Sequence, residues 1–148
     1  MSVKQIKTLL IGIIILLSLL IFLQSCEKSA TLTLTGTIIL KDKVPQSLIH
    51  QDKTILITAF DFQESRCPAN ANCIWQGFAS VKLSIRDDLK IQEIILCNGA
   101  CTVPGLPSAQ TLSLNGTSFN IKLEEINPFP VLNTAKTVSS SAKLSISQ

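Results

Sequence analysis

The chain has 148 residues, with 13 Lys+Arg, 10 Asp+Glu and one His, a formal net charge of +3. That length suits one domain, and so small a charge of mixed sign gives no electrostatic case for nucleic acid. Five cysteines and no tyrosine direct attention to cross-links and exclude a tyrosine-lined sugar platform.

The first segment is an address. Lys4 and Lys7 are the only charges before Glu27, and Leu9 to Leu23 is an apolar run broken only by Gly12 and Ser18. A basic start, a short apolar run and small polar residues form the layout of a signal peptide; a spanning helix needs about 20 apolar residues. Leu23-Gln24-Ser25-Cys26 then resembles the lipobox of bacterial lipoproteins. The resemblance implies cleavage after Ser25, diacylglycerol on the Cys26 thiol and acylation of the new amino terminus. Acyl chains bury about 0.8 kcal/mol per methylene, so two or more anchor firmly. The expected partner is therefore a membrane, reached through lipid on Cys26. The expected location is the bacterial cell envelope (the outer membrane in a Gram-negative organism), with the domain in the periplasm or on the surface. An uncleaved anchor with an incidental Cys26 thiol is the competing reading. Loss of residues 1–25 removes two basic residues, leaving 11 against 10 acidic ones and a net charge near +1.

Residues 26–31 read as a tether and 32–148 as the domain. Leu32, Leu34, Ile38 and Leu40 share one parity across Gly36. Thr54 to Phe62 is apolar on both faces, as a central strand would be. Ala79 to Ile85 and Phe119 to Leu123 alternate, and Val138, Ala142, Leu144 and Ile146 share parity; Ile91 to Leu96 is a further candidate. Period-two patterns with β-branched residues mark half-buried strands. Asp87-Asp88, Asn98-Gly99 and Asn115-Gly116 supply turn chemistry, while Pro104, Pro107, Pro128 and Pro130 mark loops. No helical period follows Cys26. The expected fold is all-β, an antiparallel two-sheet sandwich of immunoglobulin-like size.

Apart from Cys26, four cysteines remain. Cys67, Cys73, Cys97 and Cys101 allow three pairings, and an exported domain meets oxidising conditions. The local pairs Cys67–Cys73 and Cys97–Cys101 are favoured, because Pro68 with two asparagines, and Asn98-Gly99, fold their segments back. Zinc and redox chemistry compete. Structural zinc sites usually space paired cysteines by two to four residues, and redox dithiols usually show two. No metal and no cofactor is expected.

Glu64-Ser65-Arg66-Cys67-Pro68-Ala69-Asn70-Ala71-Asn72-Cys73-Ile74-Trp75-Gln76-Gly77 is the most distinctive segment. It resembles a motif of small uncharacterised bacterial exported proteins, [DE]-S-R-C-P-x4-C-x-W-x-G. Those chains also continue into an alternating strand and carry a proline–aromatic–proline step, like Pro128-Phe129-Pro130. The resemblance runs from about Leu32 to Pro130; it implies the fold and the cross-link, and no activity. Physically, Trp75 is expected to bury its ring against the Cys67–Cys73 bridge. Gly77 is expected to turn the chain into the next strand, and Arg66 to pair with Glu64 or Asp61 or to tie down loop carbonyls. The functional alternative makes Arg66 and Trp75 a ligand platform, since both residue types are enriched at hot spots.

Catalytic sets are absent. His50 is the single histidine and reads as a solvated residue of a polar loop; no serine sits in a nucleophile elbow, and no phosphate, dinucleotide or calcium signature occurs. The leading expectation is a non-enzymatic module that binds a protein or envelope component, an inhibitor of a secreted hydrolase being one version. A small envelope hydrolase using Glu64, Glu124 or Glu125, and a purely structural envelope protein, are the alternatives.

Overall fold

The computed structural model describes residues 32–102, 105–133 and 138–148, together with Ile13. Apart from Ile13, the expected signal peptide lies outside the described residues, as do Cys26, the expected tether and Pro104. In chain order the strands are β1 (Leu32–Thr33), β2 (Gly36–Lys41), β3 (Gln46–His50), β4 (Lys53–Glu64), β5 (Phe78–Arg86), β6 (Ile91–Gly99), β7 (Ala109–Leu114), β8 (Thr117–Asn127) and β9 (Ser141–Ser147). They form a two-sheet sandwich, with orders β1-β3-β4-β5-β6 and β2-β9-β8-β7. Pairing is antiparallel except between β1 and β3.

The alternation seen in the sequence is the core. Ala79, Val81, Leu83 and Ile85 of β5 face Phe119, Ile121 and Leu123 of β8 and Ala142, Leu144 and Ile146 of β9 across one buried layer. Each large side chain so buried contributes about 1.5–3 kcal/mol. Strand β4 is inward on Ile55, Ile57 and Ala59 and half-buried on Thr58 and Phe60, as its place between β3 and β5 requires. Its register shifts between Phe60 and Gln63, where Asp61 takes a φ of 51°. Such a bulge lets the strand bend toward its end.

Four expectations change. The segment Leu32 to Leu40 is two strands: β1 pairs with β3 in one sheet and β2 with β9 in the other. The parity survives because both sheets face the same core, so Leu34, Ile38 and Leu40 are all buried. Asn98-Gly99 is the last step of β6, opposite Ala79 and Phe78, and the chain turns only after it. Val138 lies outside β9 and is exposed. His50 is not a solvated loop residue. It ends β3, half-buried, with its ring edge-on to Phe119 at 4.9 Å, because it shares the inward parity of buried Leu48 two residues before it.

The two ends of the sandwich differ. One end carries the tight turns. Asp87 closes the β5–β6 hairpin, its Oδ1 accepting from the Leu89 and Lys90 amides, while Oδ2 accepts from the Asn115 amide of the facing sheet's turn. Burial disfavours the charge of Asp87, but these three backbone donors outweigh it and hold the carboxyl below its ordinary value. Asn115 and Gly116, at φ of 50° and 85°, form the hairpin turn their sequence calls for. The other end gathers the longer connections and both disulfides.

Candidate functional site

The site is the tip built on the ends of β4, β5, β6 and β8. Ser65 and Phe78 extend the β4–β5 ladder by one pair, the Ser65 amide and hydroxyl both donating to the Phe78 carbonyl at 2.9 and 2.8 Å. The Cys67 amide then donates to Gln76 O at 2.9 Å. Gly77 closes this neck at a φ of +66°; a Cβ there would stand 1.9 Å from Ser65 O, so no side chain fits. Beyond the neck, Cys67 and Cys73 are disulfide-bonded with Cα atoms 5.9 Å apart, an ordinary span.

Arg66 is the clamp. Its Nε donates to Glu64 Oε1 at 2.8 Å, a second guanidinium nitrogen donates to Glu64 Oε2, and its own amide donates to Oε1 at 3.0 Å. The guanidinium also lies over the Phe129 ring, 4.4 Å from its centroid. Arg66 is buried while Glu64 and Phe129 each keep part of their surface in water, so the bidentate pair and the cation–π contact are partly shielded. Asp61, the other expected partner, instead bonds Lys82 Nζ at 2.7 Å; that hydrogen bond, with one from Gln63, holds the Asp61 carboxyl below its ordinary value.

Phe129 belongs to the loop after β8, and this loop is sewn to the disulfide loop. The Ala69 amide donates to Pro130 O at 2.9 Å; the Leu132 amide donates to Asn70 Oδ1 at 2.8 Å, and Asn70 Nδ2 donates to Leu132 O. An open cavity of about 330 Å³ lies between them, lined by Cys67, Pro68, Cys73, Gln76 and Phe129. The second disulfide, Cys97–Cys101, with Cα atoms 6.0 Å apart, joins the same end: the Ala100 amide donates to Gly77 O at 3.0 Å and the Cys97 amide to Pro107 O at 2.9 Å.

Both local cysteine pairings and the Arg66–Glu64 pair are therefore present. The expectation for Trp75 is overturned: it is 60 % exposed and Ile74 is fully exposed. The aromatic ring that packs against the motif is Phe129, which arrives from a segment more than 50 residues away in sequence. The motif contains Trp75 as its one aromatic ring and carries no sign that a ring from elsewhere takes its place; the proline–aromatic–proline step is the only signal that could have pointed to Phe129. Arg66 and Trp75 consequently do not form one platform. Arg66 is spent on the clamp and Trp75 faces solvent with Ile74.

The remaining candidates are dispersed. Glu64 gives both oxygens to Arg66. Glu124 and Glu125 are exposed at the β8 register shift, Glu124 bonding Lys122 and Glu125 standing opposite Lys143. None of the three lines the cavity beside the disulfide. Among the described residues no group of three His, Cys, Asp or Glu could hold a metal ion, and no helix is long and apolar enough to cross a membrane. The chain matches no family model, no curated protein and no solved structure.

Proposed function

We propose that this protein is an exported lipoprotein, anchored to a bacterial envelope membrane through Cys26, whose sandwich docks on an envelope component through the cross-linked tip. The observation that carries the docking half is the exposure of Ile74 and Trp75 on a loop held by a disulfide and an ion pair. Large apolar side chains on a rigid loop lose little conformational entropy on docking, and tryptophan is among the commonest hot-spot residues. The anchor half rests on the signal-peptide layout and the lipobox; the two disulfides agree with an oxidising compartment.

Two measurements test the reading. The membrane-extracted protein is weighed intact after alkylation under denaturing conditions. A mass of Cys26–Gln148 plus acyl chains with no alkylated thiol is expected, and a full-length unacylated mass overturns the anchor. A photo-reactive amino acid then replaces Ile74 in cells, with Leu89 as control. Leu89 is also well exposed but lies at the opposite end of the sandwich. Adducts at position 74 well above those at position 89 are expected; equal labelling refutes docking through the tip.

A further inference from the structure

We infer that the component met by the tip is the bilayer itself: Ile74, Trp75, Phe129 and Leu132 form a second, interfacial membrane contact beside the lipid anchor. This contact rests on the docking reading above and names its partner.

Charge is distributed unevenly between the two ends. The described residues of the three long connections at the tip end, within 65–77, 100–108 and 128–140, include Arg66 as their one charged residue; Lys136 lies outside the described residues. Arg66 is buried and neutralised by Glu64. The fourth connection on this side, carrying Asp42 and Lys43, is set back at the level of Ala59, five residues of β4 short of Glu64. The opposite end concentrates Asp52, Asp87, Asp88 and Lys90 within its turns. The tip connections bear exposed Ile74, Trp75, Phe129 and Leu132 beyond the level of Glu64, Glu124 and Glu125, whereas at the other end exposed Leu89 and Ile91 stand among Asp87, Asp88 and Lys90, so the tip is the end better matched to an apolar boundary.

The exposed groups have the chemistry of an interface. Tryptophan is enriched at membrane–water boundaries because its ring is apolar and its N–H is wet. The disulfide loop is irregular backbone whose polar groups cannot enter hydrocarbon unpaired. The contact is therefore shallow, about 5–10 Å into the headgroup boundary. With Arg66 neutralised inside the clamp, it shows little preference for anionic lipid and little dependence on salt.

The tether limits the reach. Six residues, 26–31, span at most about 20 Å when extended, so a lipid on Cys26 keeps the sandwich at the surface. Leu32 stands opposite Leu48, which pairs with Ile55, and Ile55 is nine residues, or about 30 Å, along β4 from Glu64.

The chain contains a single tryptophan, so the native lipoprotein reports on its own tip. The acylated protein is reconstituted in protein-free phosphatidylcholine vesicles, and Trp75 emission is compared with that of the detergent-free protein in buffer. The expected result is a shift to shorter wavelength, loss of quenching by aqueous acrylamide, and quenching by lipids labelled near the headgroup more than by lipids labelled at mid-bilayer. Ile74→Ser, at a fully exposed position, should lower the ratio of inserted to exposed Trp75 by about tenfold or more. Emission that stays solvent-like in the vesicle-bound, acylated protein overturns the inference while leaving the anchor intact. Emission that shifts only in native membranes also overturns it and assigns the tip to a protein. A wild-type protein that is unacylated by mass but still inserts Trp75 refutes the anchor reading and supports the tip contact.

Discussion

Replacing Gly77 by alanine tests the neck of the tip, and its cost can be worked from the structure. The backbone at Gly77 is left-handed, which costs an alanine about 1 kcal/mol. The new Cβ would also stand 1.9 Å from Ser65 O and 2.7 Å from Ser65 C. Both atoms are backbone and cannot rotate away, so the two sides of the neck must separate. The bonds Cys67 N–Gln76 O and Ala100 N–Gly77 O are the first at risk, each worth about 1 kcal/mol. These sum to about 3 kcal/mol, and residual strain from the clash brings the total to about 3–4 kcal/mol. At roughly 3–4 °C per kcal/mol for a domain of this size, G77A should melt about 10–15 °C lower. The control is Gly116→Ala. Gly116 is also left-handed, but an added Cβ there would meet nothing within 4 Å, so that variant should lose only about 1 kcal/mol. Calorimetry with the disulfides intact reads both. Melting temperatures of G77A and G116A within about 3 °C of each other would refute the steric account of the neck.

The other predictions concern the clamp, the bridges and the hairpin. Arg66→Ala leaves Glu64 unpaired and Phe129 without its cation, and should lower urea stability by about 2–3 kcal/mol; Arg66→Lys should recover less than half, because an ammonium cannot bond bidentately. A loss under about 0.5 kcal/mol in R66A would show that the clamp is idle. The double variants Cys67→Ser/Cys73→Ser and Cys97→Ser/Cys101→Ser open such short rings that each should cost only about 2 kcal/mol and remain folded by circular dichroism; unfolding of either at room temperature would rule out a local role. Asp87→Asn should cost about 1–2 kcal/mol at neutral pH. Because the folded carboxyl of Asp87 lies below its ordinary value of 3.8, the wild-type advantage is present above that value. It is lost as pH falls through the lower, folded value. A gap between wild type and D87N that is unchanged from neutral pH to about pH 2 would contradict the assignment.

Much of this protein is local in origin. The period-two segments of β5, β8 and β9 bury the residues their parity indicates, because a strand offers only two faces and the apolar one must leave water. Asn115-Gly116 turns where its backbone preference dictates; Cys67–Cys73 closes within its own loop, and Cys97, near the end of β6, reaches Cys101 just past the strand, because segments so short meet without help from the rest of the chain. What needed the tertiary structure were choices between equivalent local candidates. Parity cannot reveal that the chain changes sheets between Thr33 and Gly36, since either sheet presents the same core to Leu34 and Ile38. His50 looks like a solvated turn residue until Phe119, from the facing sheet, supplies the surface its ring packs on. The motif holds one aromatic ring, Trp75, and one cation, Arg66. Only the return of the chain after β8 brings Phe129 over that guanidinium, which leaves Trp75 and Ile74 in water. A contact between residues 66 and 129 depends on how two sheets stack, and stacking is settled by the whole core at once, beyond any pattern within a dozen residues.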